Sequence, residues 1–460
     1  MIILGTNSIK DTGYDVANSC RFNDGSSDYL QWNSSPAGNR QKFTFSVWLK
    51  RSSLGTSMIA SSSYSSSDEG YFFFDSNDKL TWQTSATGMG DLKTNRVFRD
   101  LSAWYHIVLS VDTTQSTATS RMRLYINGSE YTWDGNTTQP DQNKQIYWNV
   151  GGTYYPYIGR RHDGNYFDGY MAEIVHIDDQ QLDATSFGEF DSDTGIWKPI
   201  DVSELTFGTT GYYLDFEDSS ALGNDVSGNG NDFTVNNLTA IDQSTDTCTN
   251  NFATWNPLAK YLNMLTLSEG NTKAISAATN NPWYSARATI GFTSGKWFWE
   301  TKFTGSTNPV PVYIGVVDES ARMNIEAISE NGTTMYYNGS GGEMRVDGTN
   351  TSNDYGNFST SDICGIAINA DDNLITIYKN GSAIVTNYAL STTRTGFLFP
   401  VIMATNTSDG TNSNGVITNF GSPPYSESGG ETDGNGYGNF AHAVPSGYYS
   451  LNTKNLSEFG

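Results

Sequence analysis

The sequence predicts an all-β protein of two β-sandwich domains joined by a polar linker. Three observations carry that reading. Hydrophobic residues are only 37% of the 460, yet aromatics reach 13%, with 27 Tyr, 23 Phe and 11 Trp to fill cores. Gly 46 and abundant Asn, Asp, Ser and Thr describe many turns and few long helices. Short alternating or aromatic-rich runs recur between those turns at roughly ten-residue intervals, as in sandwich strands.

In the first block the strands read as 43–49, 71–74, 80–82, 104–111, 122–126, 130–133, 157–159 and 169–177. Asn127-Gly128 lies between two alternating runs and signals a hairpin, because a type I′ turn needs positive φ at both central residues. One helical turn is placed at 183–187. The texture changes over 201–256: one closing strand at 211–216, a run of turn formers at 223–232, and a nearly apolar-free stretch, 239–251, that reads as a linker. Strands resume at 295–303, 312–317, 334–337, 362–368, 374–378, 397–404 and 416–420, with turns at 370–373 and Asn380-Gly381. Alternation in the first of these puts Trp297, Trp299 and Thr301 on one face and Lys296, Phe298, Glu300 and Lys302 on the other. The two blocks echo one another, Tyr125-Ile-Asn-Gly-Ser with Tyr378-Lys-Asn-Gly-Ser and Tyr157-Ile-Gly with Tyr313-Ile-Gly. The expected organisation is an N-terminal arm (1–28), a sandwich (29–200), a closing strand and linker (201–256), a second sandwich (257–421) and a C-terminal extension (422–460).

Against 26 Lys+Arg stand 49 Asp+Glu, a formal charge of −23, which leaves no basic stripe for phosphates and argues against nucleic acid as a partner. Cys20, Cys248 and Cys364 are too few and too scattered for a disulfide framework, and Cys364 reads as a small buried thiol. No cysteine or histidine spacing fits zinc. The opening Met1-Ile-Ile-Leu-Gly-Thr is no signal peptide, and the most apolar stretch, 397–404, is short and contains Pro400, so no membrane span is expected. With so short a stretch before the first strands, neither a large anchor domain nor a long shaft is expected within these residues.

Several runs resemble known families. Phe45-Ser-Val-Trp-Leu-Lys, Trp104-Tyr-His-Ile-Val, Leu124-Tyr-Ile-Asn-Gly, Tyr157-Ile-Gly-Arg and Phe167-Asp-Gly-Tyr-Met-Ala-Glu-Ile resemble the laminin-G-like, concanavalin-A-like jelly roll. Asp225-Val-Ser-Gly-Asn-Gly-Asn-Asp-Phe resembles a stretch usually found near the start of such domains, so its order is permuted or it belongs to a linking element. Gly295-Lys-Trp-Phe-Trp-Glu, Tyr313-Ile-Gly-Val, Asp362-Ile-Cys-Gly-Ile-Ala-Ile, Ile377-Tyr-Lys-Asn-Gly and Phe399-Pro-Val resemble a SPRY domain. Together with Val444-Pro-Ser-Gly-Tyr and Leu451-Asn-Thr-Lys-Asn-Leu, the order of these blocks resembles virion structural proteins of marine tailed bacteriophages, cyanophages included, commonly described as tail fibres or appendages.

That resemblance implies a non-enzymatic virion surface protein, a tail fibre or appendage that recognises host surface glycan or protein during adsorption. It would contact other virion proteins through its N-terminal arm and form a homo-oligomer, a trimer in a fibre. Two alternatives stand: a capsid or tail decoration protein without receptor contact, and a glycan depolymerase. For the last, the nearest approach to a retaining pair of carboxylates is Glu189-Phe-Asp-Ser-Asp193, flanked by turn formers rather than strand residues. The histidines, His106, His162, His176 and His442, are scattered. Tyr154, Tyr155, Tyr157, Arg160, Arg161, Tyr336 and Tyr337 have the chemistry of a glycan site, stacking rings beside hydrogen-bonding groups; the other reading is tyrosines packed on sheet edges or a neighbouring subunit. No cofactor is expected apart from calcium, for which Asp163, Asn165 and Asp168 offer two carboxylates and an amide in one loop, with an ordinary polar turn as the alternative. Divalent cations would also bridge so acidic a protein to an anionic cell surface.

Overall fold

Alternating runs become strands wherever one of their faces must meet a core. The computed structural model describes all residues except 1–12, 34, 66, 136, 261–264, 277–282, 306–308, 324–331, 340, 351–352, 406–413 and 427–429. The chain divides into two compact units that break between Thr249 and Asn250.

In the first unit one sheet runs, neighbour by neighbour, Ser129–Tyr131, Met122–Ile126, Tyr105–Asp112, Lys42–Arg51, Gly169–Asp178, Ser19–Phe22, Gln243–Ser244, with Tyr212–Leu214 also paired to Gly169–Asp178. The second sheet runs Thr234–Asn236, Tyr29–Gln31, Tyr155–Ile158, Ser57–Ser65, Asp68–Phe74, Lys79–Thr84, Leu92–Val97. Phe43, Phe45 and Leu109 from one sheet meet Leu30, Phe72, Trp82 and Ile158 from the other in a single apolar cluster. Trp148 stacks on Phe43 at 5.7 Å and tilts against Trp82 at 5.5 Å. Each such side chain stabilises the fold by about 1.5–3 kcal/mol.

Tyr105–Asp112 and Gly169–Asp178 are buried along their whole length, because a second apolar layer containing Val16, Trp104, Trp197, Phe207 and Cys248 covers the outer face of their sheet. The expected N-terminal arm is therefore only partly an arm. Its residues 1–12 lie outside the described residues, whereas Ser19–Phe22 is an inner strand with Cys20 and Phe22 in the core.

The stretch 239–251, expected as a linker, is built into the structure as well. Thr239 caps the turn Ala240–Asp242, Gln243–Ser244 pairs with Ser19 and Cys20, and Asp246 takes the ammonium of Lys50, both side chains only 2% exposed. Trp104 Nε1 also donates to Asp246, at 3.1 Å. This segment is poor in apolar residues because its polar groups satisfy buried ones, which composition does not distinguish from solvation. The turn-former run behaves alike. Asp225 accepts from the amides of Tyr213, Ser227 and Asn231 at 2.9, 2.9 and 2.8 Å, while Asn229 and Asn231 donate to carbonyls of Gly208, Thr209 and Gly211. The motif is a hydrogen-bonded knot that clamps Tyr212–Leu214 in place.

The second unit repeats the plan. One sheet runs Trp255–Lys260, Tyr284–Ala288, Leu398–Ala404, Val312–Asp318, Thr333–Asn338, Glu343–Val346, Thr349–Asn350; the other runs Leu265–Ser268, Lys273–Ser276, Gly415–Asn419, Lys296–Thr304, Ile363–Asn369, Leu374–Lys379, Ser382–Ala389. Trp297 and Trp299 point into the core with Ile314, Ile366 and Ile402, as alternation requires. Phe298 and Glu300 point the other way yet are buried, because the C-terminal extension lies over them. Phe440 packs edge-on against Phe298 at 5.0 Å, and Tyr449–Ser450 adds a parallel strand beside Trp297 and Phe298. Glu300 accepts from the backbone amides of Ala441 and His442 at 2.8 and 3.0 Å and contacts His442 Nδ1 at 3.0 Å. A short helix not foreseen from sequence, Thr453–Phe459, closes the extension, with Asn452 capping Asn455.

The echoed hairpins are one device used twice. Asn127 and Asn380 each adopt φ of 47°, followed by Gly128 and Gly381 at 79° and 80°, and each Asn accepts a neighbouring backbone amide, of His106 and Ile363, at 2.8 Å. The helical turn expected at 183–187 is the 3-10 turn Ala184–Ser186, capped by Asp183.

Candidate functional site

The outer face of the first unit's second sheet collects the most ligand-like chemistry. Its strands alternate Leu30, Ala60, Ile158, Phe72 and Trp82 into the core, so Gln31, Ser61, Tyr157, Tyr71 and Gln83 lie on the opposite face. There Gln31, Tyr71 and Gln83 are part-exposed and Ser61 is buried, while Tyr157, expected as a stacking ring, is covered by Arg160 and Tyr29. Register then lines up one continuous row across six strands: Thr234, Gln31, Tyr157, Ser61, Tyr71, Gln83. A second line places Ser63 between Tyr155 and Glu69. Small serines thus separate two sets of rings. The strand that supplies them, Ser57–Ser65, was not legible in sequence, since a serine run has neither strong β propensity nor apolar alternation.

Around this row the expected residues separate by role. Tyr155 meets Tyr157 edge-on at 6.4 Å, and Tyr154 stacks on Tyr147 at 5.9 Å with Tyr64 at 5.7 Å on the rim. Tyr147 donates to Asp68 at 2.8 Å, which holds that carboxylate below its usual range. Arg160 lies over Tyr29 at 4.4 Å, Tyr157 at 5.5 Å and Tyr166 at 5.7 Å. Arg161 lies over Tyr71 at 4.7 Å and grips the buried Glu69 with both Nε and Nη2, while His162 Nδ1 reaches the same carboxylate at 2.9 Å. The hydrogen bond to Glu69 raises the Arg161 guanidinium further, and burial raises Tyr157 and Tyr71, so these tyrosines stay protonated donors at neutral pH. Tyr29, Tyr71 and Glu69 were missed by sequence reasoning because only the ladder register brings them together, and Tyr166 because it folds back onto Arg160 from the following loop.

The loop offered for calcium divides its groups. Asp163 is exposed and 3.7 Å from Arg161, Asn165 sits at the tip with φ of 58°, and Asp168 is buried, its carbonyl accepting from Ser52. Among the described residues no group of three or more His, Cys, Asp or Glu side chains is arranged to hold a metal ion.

In the second unit Tyr336 departs from the expectation of an exposed stacking ring. It is fully buried and its hydroxyl donates to the Gly356 carbonyl, so it serves the core. Tyr337 is half-buried and stacks on Tyr313 at 4.3 Å, with Trp283 edge-on at 5.8 Å.

The arrangements that mimic catalysis have other roles. His106 Nδ1 accepts from Trp197 Nε1 at 3.0 Å, which leaves the ring proton on Nε2, 2.9 Å from Ser46. Ser46 is then the acceptor and is not activated by a base, and burial drives the His106 pKa down to about 3. Glu189 and Asp191 share Lys198 at 3.3 and 3.5 Å in the small hairpin Gly188–Phe190 and Trp197–Pro199, outside both main sheets.

Comparison with known proteins accords with this architecture. Residues 24–184 match the family model of the concanavalin A-like lectin/glucanases superfamily, and residues 296–422 match that of the SPRY domain. The chain carries both domains in that order. Similar solved structures include the human HERC1 SPRY domain (15% identity, 36% of this chain and 96% of that one, TM-score 0.28) and the heptameric SAP-like pentraxin of Limulus polyphemus (16%, 37% and 79%, TM-score 0.28). Stonustoxin is also similar (18% identity, 36% of this chain and 27% of that one, TM-score 0.27). No curated protein matches the chain. The tyrosine-lined sheet therefore belongs to the concanavalin A-like domain, and the face capped by the C-terminal extension belongs to the SPRY domain. Among the described residues no helix is long and apolar enough to cross a membrane.

Proposed function

We propose that this chain is a recognition protein whose concanavalin A-like domain binds a surface glycan across its tyrosine-lined sheet, without turnover. The observation that carries this reading is the register row Thr234–Gln31–Tyr157–Ser61–Tyr71–Gln83. The part-exposed Tyr71 and Tyr155, with the Gln31 and Gln83 amides and the Thr234 hydroxyl on the same face, suit the face of a pyranose and its hydroxyls. The superfamily model is named for both lectins and glucanases, and the row itself contains no carboxylate, while neighbouring Glu69 is occupied by Arg161 and His162.

The finer reading is a bacteriophage virion surface protein, a tail fibre or appendage that adsorbs to host glycan. Its support is the order of the jelly-roll, SPRY and C-terminal motifs. Homotrimers would multiply weak contacts through avidity.

The test is binding of the purified full chain to an array of bacterial surface polysaccharides, with and without chelator. Tyr71→Ala and Tyr155→Ala are each expected to weaken binding about tenfold, the scale of one ring contact. A folded chain that binds nothing, or substitutions that change nothing, would overturn the assignment of this face. Release of reducing ends would overturn binding without turnover, and loss of binding in chelator would bring calcium, with Asp163, Asn165 and Asp168 as its first candidates.

A further inference from the structure

We infer that the glycan this face binds is acidic, and that Arg160 receives its carboxylate or sulfate; this rests on the glycan reading above. Arg160 and Arg161 are adjacent, yet the fold treats them oppositely. Arg161 is neutralised by Glu69, with Asp163 also at 3.7 Å. Arg160 has no carboxylate at ion-pair distance among the described residues, although the chain has 49 acidic residues for 26 basic ones.

Arg160 is held without being neutralised. Its Nε donates to the Arg161 carbonyl at 3.0 Å and its Nη2 to the His162 carbonyl at 2.9 Å. Tyr29, Tyr157 and Tyr166 support the guanidinium at 4.4, 5.5 and 5.7 Å. Its own carbonyl accepts from Ser61 at 2.9 Å, which ties the residue to the serine lane. A guanidinium carries five N–H donors, so these two carbonyls leave Nη1 and one Nη2 hydrogen for a ligand. The side chain has already given up its rotamer freedom, and a planar fork matches a carboxylate or sulfate with two parallel hydrogen bonds. Position completes the argument. Tyr157 supports this guanidinium and, buried itself, meets the part-exposed Tyr155 edge-on at 6.4 Å, so an anion on Arg160 sits one ring away from an accessible tyrosine. A uronic acid or a sulfated sugar presents both features on one residue.

The experiment compares binding of the full chain to a polyuronate, a sulfated galactan and a neutral β-glucan at fixed ionic strength. Arg160→Gln is expected to lose at least tenfold more affinity for the acidic polymers than for the neutral one. Arg160→Lys retains the charge without the fork and should fall between. Sodium sulfate should compete with the acidic ligand more strongly than chloride of equal ionic strength, a readout independent of any substitution. The acidic arm that Arg160→Gln affects more identifies carboxylate or sulfate as the group received. If wild type binds neutral and acidic polymers alike and Arg160→Gln changes neither, the anion assignment falls while the glycan reading stands. If wild type binds none of the three, the glycan reading falls as well.

Discussion

Replacing Glu173 by glutamine should raise the stability of the first domain at alkaline pH and remove one limb of its pH dependence. Glu173 sits at a bulge between Gly169–Asp178 and Lys42–Arg51, with φ of 48°, which turns its side chain into the outer apolar layer. It is 6% exposed and accepts from Tyr213 at 2.7 Å and Tyr14 at 3.3 Å. Burial, with Asp215 and Glu217 adding to it, pushes the carboxyl from 4.5 up to about 7 despite the two tyrosine donors. The folded domain therefore binds this proton more tightly than the unfolded chain. Its contribution is complete below the unfolded pKa of about 4.5 and is lost as pH rises through about 7. The gap corresponds to roughly 3 kcal/mol. Glutamine keeps an acceptor for the tyrosines and never ionises. Urea unfolding of wild type and Glu173→Gln between pH 4.5 and 8.5, following the transition of this domain, should give curves that diverge with pH. The variant's advantage should grow toward roughly 3 kcal/mol above pH 7. Taking the difference removes the titrations that both proteins share. Parallel curves would show that Glu173 does not hold its proton in the folded domain, and the reasoning would fail.

Other substitutions probe the remaining parts of the fold. His106, driven by burial to about 3, stays neutral while the unfolded chain protonates below about 6.5, so wild type should lose stability as pH falls through that range. His106→Gln should reduce that acid slope by about one proton, and an unchanged slope would count against it. Asp225→Ala strips the acceptor from three backbone amides and the Ser227 hydroxyl and should cost at least about 3 kcal/mol by chemical denaturation. A loss under about 1 kcal/mol would mean water replaces the knot. Phe440→Ala opens the contact with Phe298 and should speed hydrogen exchange at the Ala441 and His442 amides held by Glu300, whereas unaltered exchange would show that the carboxylate alone pins the extension.

Much of this fold was legible because short-range physics decides it. Alternation put Trp297 and Trp299 on one face and Phe298 and Glu300 on the other, the structure turns the first pair into the core, and both Asn-Gly pairs formed the hairpins their φ preferences demand. Composition failed where polar residues serve buried partners. The segment around Asp246 and the Asp225–Asp232 run are poor in apolar residues, yet both are integral to the first domain.

The candidate site shows the same division. Tyr154, Tyr155, Tyr157, Arg160 and Arg161 stood out in one stretch of chain, and the structure places them on or beside one face. Tyr336 carries the same side chain as Tyr337, but strand alternation turned one ring into the core and left the other half-buried. By itself the sequence determined the all-β class, the two sandwiches and the hairpins, because period, turn chemistry and side-chain size act over a few residues. Only the tertiary structure decided that Tyr29, Ser61, Tyr71 and Tyr166 would join that stretch, and that Glu69 would neutralise Arg161 and not Arg160. Those relations depend on the register between strands far apart in the chain, where a shift of one residue would turn every ring to the other face.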